Sequence, residues 1–127
     1  MEDAARLVIR SSRRMHITPI LRDLHWLPIQ YRSSYNILLH TYKSQHGLAP
    51  AYLADLIKKY KPTRSLRSNS KHFLTKPVPK TSTYENRRFD ISAAKLWNDL
   101  SIEVKCVNNI NDFKKKVKTY LFRAAFY

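Results

Sequence analysis

Apolar residues recur at helical spacing along most of the chain. Tyr31, Tyr35, Leu38, Leu39 and Tyr42 follow an i, i+4, i+7, i+8, i+11 pattern, so they share one face of a helix. Gly47, the only glycine, stands where a C′ residue closes such a helix. Upstream, AARLVI (residues 4–9) reads as a short helix, followed by the basic connector SSRRMH. Thr18 is a suitable N-cap and Pro19 suits a first helical position, which predicts a helix over residues 19–25. Leu27 precedes Pro28 and is pushed away from helical geometry, so the chain turns there and Pro28 opens the Tyr31–Tyr42 helix. Pro50 opens another, expected to reach about Tyr60 with Tyr52, Leu53, Leu56, Ile57 and Tyr60 on its inner face.

The pattern breaks at Lys61. Residues 61–80 hold six Lys/Arg, no acids, and Pro62, Pro77 and Pro79, with Ser, Thr and Asn between them, which marks a loop. Residues 72–78 allow a short strand, and the two prolines confine it to a sheet edge. SAAKLWNDL (92–100) predicts one or two helical turns. The last helix begins near Asn109 as N-cap, with Asp112 at the third position beside the positive helix end. Phe113, Val117, Tyr120, Leu121 and Ala124 form its apolar face, and Lys115, Lys118 and Phe122 are expected on the other side. The expectation is a mainly α chain: a small lobe of four to five short helices with a proline-broken basic loop and room for one short β segment. Its parts are a helical segment with proline-started helices over 1–60, the basic loop over 61–90, and C-terminal helices over 91–127.

Length changes this little: 127 residues are the size of one domain, and 43% hydrophobic residues supply a modest core. A single glycine excludes a Gly-rich phosphate loop. Charge changes it more. There are 24 Lys+Arg against 9 Asp+Glu, a net charge of +15. Such an excess repels itself unless an anion compensates, and nucleic acid is the commonest partner, ahead of an anionic membrane. Cys106, the one cysteine, has no internal disulfide partner, which fits a reducing compartment. No apolar run approaches the length of a membrane span, and the first residues lack a secretory h-region, so the expected location is intracellular, nuclear or cytoplasmic.

Candidate catalytic chemistry is sparse. Paired metal ions need clustered carboxylates, and Asp3, Asp23, Asp55, Asp90, Asp99 and Asp112 are scattered. His16, His25, His40, His46 and Cys106 lack zinc-ligand spacing; His25 and His40 read as partly buried helix residues and His46 as a helix end. No nucleophile elbow appears. An enzymatic reading would need a site assembled only in three dimensions. Trp26 and Trp97, each among leucines, read as core anchors rather than base-stacking groups.

The cations are better placed for binding. They fall in the loop (Lys61, Arg64, Arg67, Lys71, Lys76, Lys80), a pair (Arg87, Arg88) and the last helix (Lys114, Lys115, Lys116, Lys118, Arg123). Phe73, Tyr84, Phe89 and Phe122 are interleaved with them. Positive charge tracks a phosphate backbone and aromatic faces stack on unpaired bases, so the mixture suits single strands or a heteroduplex. No recognition-helix motif argues for sequence-specific readout.

The order of the segments AARLV (4–8), HITPILRDLHWLP (16–28), ILLHTYKSQHGLAPAYLADLI (37–57), RSLRS (64–68), AAKLWNDL (93–100) and FKKKVKTYLF (113–122) resembles the C-terminal region of LINE-type non-LTR retrotransposon polyproteins, downstream of the reverse-transcriptase palm. The HITP…LHWLP and HGLAP…YL blocks are its specific part. The resemblance implies a parent protein with endonuclease and RNA-directed DNA polymerase activities. That polymerase's catalytic Asp pair would lie upstream, and this chain would be non-catalytic. It implies contact with template RNA or the RNA–DNA hybrid, with no cofactor, metal, small-molecule substrate or membrane. The upstream polymerase domain would be a further partner, and a docking lobe for that domain is the alternative role. Family members usually carry prolines before the LWN block and after the following Leu; here Lys95 and its neighbours and Ser101 occupy those places, which predicts a looser corner near Leu100 or a longer helix. Such drift, and a chain opening at Met1 in mid-element, would also fit a decayed element remnant.

Overall fold

The computed structural model describes residues 2–67, 71–81, 83 and 87–127, and Ser68 and Tyr84 lie outside the described residues. Its helices are α1 (Glu2–Ile9), α2 (Ile17–Asp23), α3 (Ile29–Gln45), α4 (Ala51–Ala54), α5 (Phe89–Asp99), α6 (Ile102–Lys105) and α7 (Ile110–Phe126). The chain is mainly α, as the periodicity predicts.

The helix ends show where local chemistry outweighs the sequence pattern. α2 starts two residues early because His16, not Thr18, is the N-cap: its ring Nδ1 accepts from the Thr18 N–H at 3.3 Å. Pro19 is then the third helical residue, still within the turn whose N–H groups need no intrahelical acceptor. α2 stops at Asp23, so His25 is not a helix residue. With φ of +53°, His25 takes the left-handed position of a helix-closing turn: its N–H donates to Arg22 O at 3.0 Å, and the Trp26 N–H to Leu21 O at 2.9 Å. His25 and His40 are both exposed rather than partly buried. The corner that follows sends Leu27, not Trp26, into the main core; Trp26 is half-buried at the edge of a smaller cluster. Arg32 folds back, its Nε–H donating to Leu27 O at 3.0 Å.

α3 is the central helix. Pro28 caps it, and Gly47, at φ +69°, closes it with the Leu48 N–H donating to Lys43 O at 2.9 Å. Thr41 and Ser44 are buried on it because their hydroxyls donate to the carbonyls of Ile37 and His40, both at 2.7 Å. Leu38 and Tyr42 meet Ala94 and Trp97 of α5 and Phe113, Val117 and Leu121 of α7, so one core joins α3 to the C-terminal helices. The Tyr42 and Phe113 rings stack at 4.2 Å, and the Tyr42 hydroxyl donates to Val107 O at 2.8 Å. Ala5, Ile20 and Leu21 form the second cluster, closed by Trp26 and Phe126.

Several expectations are corrected. The helix opened by Pro50 is a single turn, Ala51–Ala54, and Tyr52, Leu56 and Tyr60 are exposed, with Ile57 packed on the core. The chain leaves the helix because residues 58–60 pair with the basic loop: Lys59 and Leu74 form one isolated antiparallel bridge, with the Tyr60 N–H donating to Phe73 O and the Thr75 N–H to Lys58 O. That bridge replaces the edge strand expected over 72–78. Phe122 does not point away from the core; it packs at its rim against His25 and Phe126. Tyr120 and Ala124, expected inward, are exposed. Near Leu100 the helix is the longer one, by its start rather than its end. The helix begins earlier, at Phe89, but ends at Asp99, and Leu100 is extended and buried, so the corner closes without proline.

The loop is held to α5 and α6 by side chains. Asn98 grips both backbone groups of Leu74: its Oδ1 accepts from the N–H at 2.9 Å and its Nδ2 donates to the carbonyl at 3.1 Å. Asn98→Ala would leave two polar groups of a buried residue unpartnered, at about 1–3 kcal/mol. We expect a lower unfolding midpoint in urea, with faster hydrogen exchange at the Leu74 amide than elsewhere in the core. Uniform acceleration would show that the amide clamp is not what retains the loop.

Candidate nucleic-acid interface

The structure sorts the cations into separate surfaces. On α7, Lys115, Lys116, Lys118 and Arg123 are exposed and Lys114 is half-buried. They do not form one row. Lys115, Lys116 and Arg123 line a groove against Ser101, Glu103 and Val104 at α6, where Lys116 Nζ donates to Glu103 O at 3.3 Å. Lys118 instead lines a groove with His25, Trp26, Arg32 and Tyr35. That second groove gives the half-buried Trp26 an accessible edge beside two cations.

The loop cations sit elsewhere. Arg64, Arg67, Lys71, Lys76 and Lys80 are exposed, as is Arg87, and neither Arg64 nor Arg67 lines these grooves. Arg88 is also exposed, with its guanidinium on the Asp90 carboxylate at 2.7 Å. Lys61 alone of the loop set opens onto a cavity of about 470 Å³, lined also by Lys59, Tyr60, His72, Phe73, Trp97 and Lys105. Trp97 is the anchor its leucine neighbours predict: it is 1% exposed and its indole N–H donates to His72 O at 3.0 Å. Of the interleaved aromatics, Phe73, Phe89 and Phe122 are half-buried.

Lys105 is the residue that sequence reasoning passes over. It is 7% exposed, and its Nζ donates to Lys71 O at 3.3 Å and Asn98 O at 3.4 Å, 4.8 Å from the Phe73 ring centroid. Burial pushes its pKa below the usual lysine value; Asp99 opposes that and Lys71 adds to it. A signal was present: Lys105 ends the turn IEVK between Val104 and Val107, an apolar setting for a cation. Lys59 is a second omission, one residue from Tyr60 in a Lys-Lys-Tyr-Lys run.

Among the described residues, no group of three or more His, Cys, Asp and Glu side chains could hold a metal ion, and no helix is long and apolar enough to cross a membrane. Comparison with protein-family models, curated proteins and solved structures gives no match to this chain.

Proposed function

We propose that this chain is a non-catalytic nucleic-acid-binding module, a C-terminal fragment of a LINE-type non-LTR reverse transcriptase that contacts template RNA or RNA–DNA hybrid. One observation carries the binding reading: a chain of net charge +15 presents its cations on exposed surface beside aromatic side chains, on α7 and around the cavity at Lys59 and Lys61. Charge of that density binds polyanions by releasing their condensed counterions, and half-exposed rings add sequence-tolerant stacking. The retrotransposon origin rests on the ordered HITP…LHWLP, HGLAP and LWNDL segments.

The test is a salt titration of the intact chain against an unstructured RNA oligonucleotide. A linear fall of log affinity with log salt is expected, with a slope of about −0.7 per phosphate contacted. An affinity that does not change between low and high salt would remove the electrostatic basis of the reading.

A second reading, a docking lobe for the polymerase domain, is favoured by a different surface. Leu7 is 81% and Val8 60% exposed on α1, and Ile9 and Met15 are also exposed, apolar side chains that a partner would cover. Joining the upstream polymerase domain to the chain should raise its melting temperature, since a partner that binds only the folded state stabilises it. Equal melting temperatures with and without that domain would argue for α1 as a free surface.

A further inference from the structure

The cavity behind the 59–61 bridge has a chemistry that general polyanion attraction does not require. Its volume, about 470 Å³, lies in the roughly 300–1,000 Å³ range of small-molecule sites. Lys59, Lys61 and Lys105 line it, and among the described residues no acidic side chain does. Tyr60, 47% exposed, and the half-buried Phe73 are fixed there by the hydrogen bond between their backbones at 2.9 Å. Gln45, at the end of α3, also lines it, and its Nε2 is buried with no hydrogen-bond partner among the described residues. A buried donor without an acceptor is uncommon and costly.

We propose that this cavity seats one unpaired nucleotide of the bound strand, an inference that rests on the nucleic-acid reading above. The carboxyl end of α3 disfavours an anion beside Gln45 and His46. That orients the ligand. The phosphate lies towards Lys59 and Lys61, and the base lies against Tyr60. Lys105, already directed at two carbonyls and the Phe73 ring, holds the floor rather than the phosphate.

The experiment compares a blunt RNA–DNA duplex with the same duplex carrying one unpaired 3′ nucleotide, by fluorescence anisotropy at fixed salt, with adenosine monophosphate as competitor. The wild-type chain should bind the overhang more tightly. Tyr60→Ala should erase that preference, a loss of about five-fold or more for one base–aromatic stack. Lys59→Gln with Lys61→Gln, both exposed positions, should do the same without altering the melting temperature, which covers the case of a Tyr60 variant that folds poorly. Equal binding of both duplexes by the wild type overturns the proposal and leaves the polyanion reading intact. So does a preference that survives both sets of variants. Saturable adenosine monophosphate binding without an overhang preference would assign the cavity to free nucleotides and overturn the strand assignment. Binding of neither duplex would remove both readings together.

Discussion

Trp97→Ala should lower the melting temperature by about 15 °C or more, the largest stability loss expected from a single truncation in this chain. Trp97 is 1% exposed, with its ring 5.9 Å from that of Phe113 between α5 and α7. Truncating a buried Trp costs about 3–5 kcal/mol through lost transfer energy and the cavity left behind. The lost N–H also orphans the His72 carbonyl, now 3.0 Å from Nε1, adding about 1 kcal/mol. A small domain has only about 5–15 kcal/mol in total, so most of the stability goes. Trp97→Phe weighs the two parts differently: it keeps a ring in the core while removing the donor and three ring atoms. We expect it to cost about 1–2 kcal/mol and to loosen residues 72–75 selectively, read by hydrogen exchange. A shift of only a few degrees in Trp97→Ala, measured by circular dichroism, would mean that α5 is not packed as described.

The same residue shows how far the sequence can be read. Trp97 is legible as an anchor because it stands between Leu96 and Leu100 at helical spacing. What it anchors is not legible, because its partner is a backbone carbonyl 25 positions away in a segment with no periodicity of its own. Asn98 follows the same logic. In LWND it looks like an ordinary polar residue on a helix, yet it serves as the hydrogen-bonding neighbour that Leu74 lacks outside a sheet. The α3 face was readable because packing there follows the 3.6-residue period. Its closure was readable because Gly47 is the one residue free of steric penalty at positive φ. His25 adopts the same conformation without that freedom, so nothing local announced the turn. The Pro50 helix failed for a related reason. Its apolar spacing continued to Tyr60, but the backbone of 58–60 found partners across the chain. Of the candidate site, the α7 cations could be placed on an exposed helix in advance; the cavity could not, because it brings residues 45, 59–61, 72–73 and 105 together from four separate segments.

Replacing Lys114, Lys115, Lys116 and Lys118 with Gln should weaken RNA binding about 100-fold or more at moderate salt and flatten the log–log salt slope by up to about 3 units. Each lysine that meets a single strand's phosphate contributes about 0.7 to that slope, so the change in slope counts contacts independently of absolute affinity. Gln and Lys have similar helix propensity, and three of the four side chains are exposed, so α7 should persist with little change in melting temperature. The geometry further predicts unequal shares. Lys115 and Lys116 open with Arg123 on the groove at α6, whereas Lys118 opens beside Arg32 and Trp26. A strand that follows the first groove loses affinity in Lys115→Gln with Lys116→Gln and ignores Lys118→Gln; a strand in the second does the reverse and also responds to Trp26→Ala. A slope unchanged by all four substitutions would move the phosphate contacts off α7 altogether, onto the loop at Arg64 and Arg67 and the cavity mouth at Lys59 and Lys61.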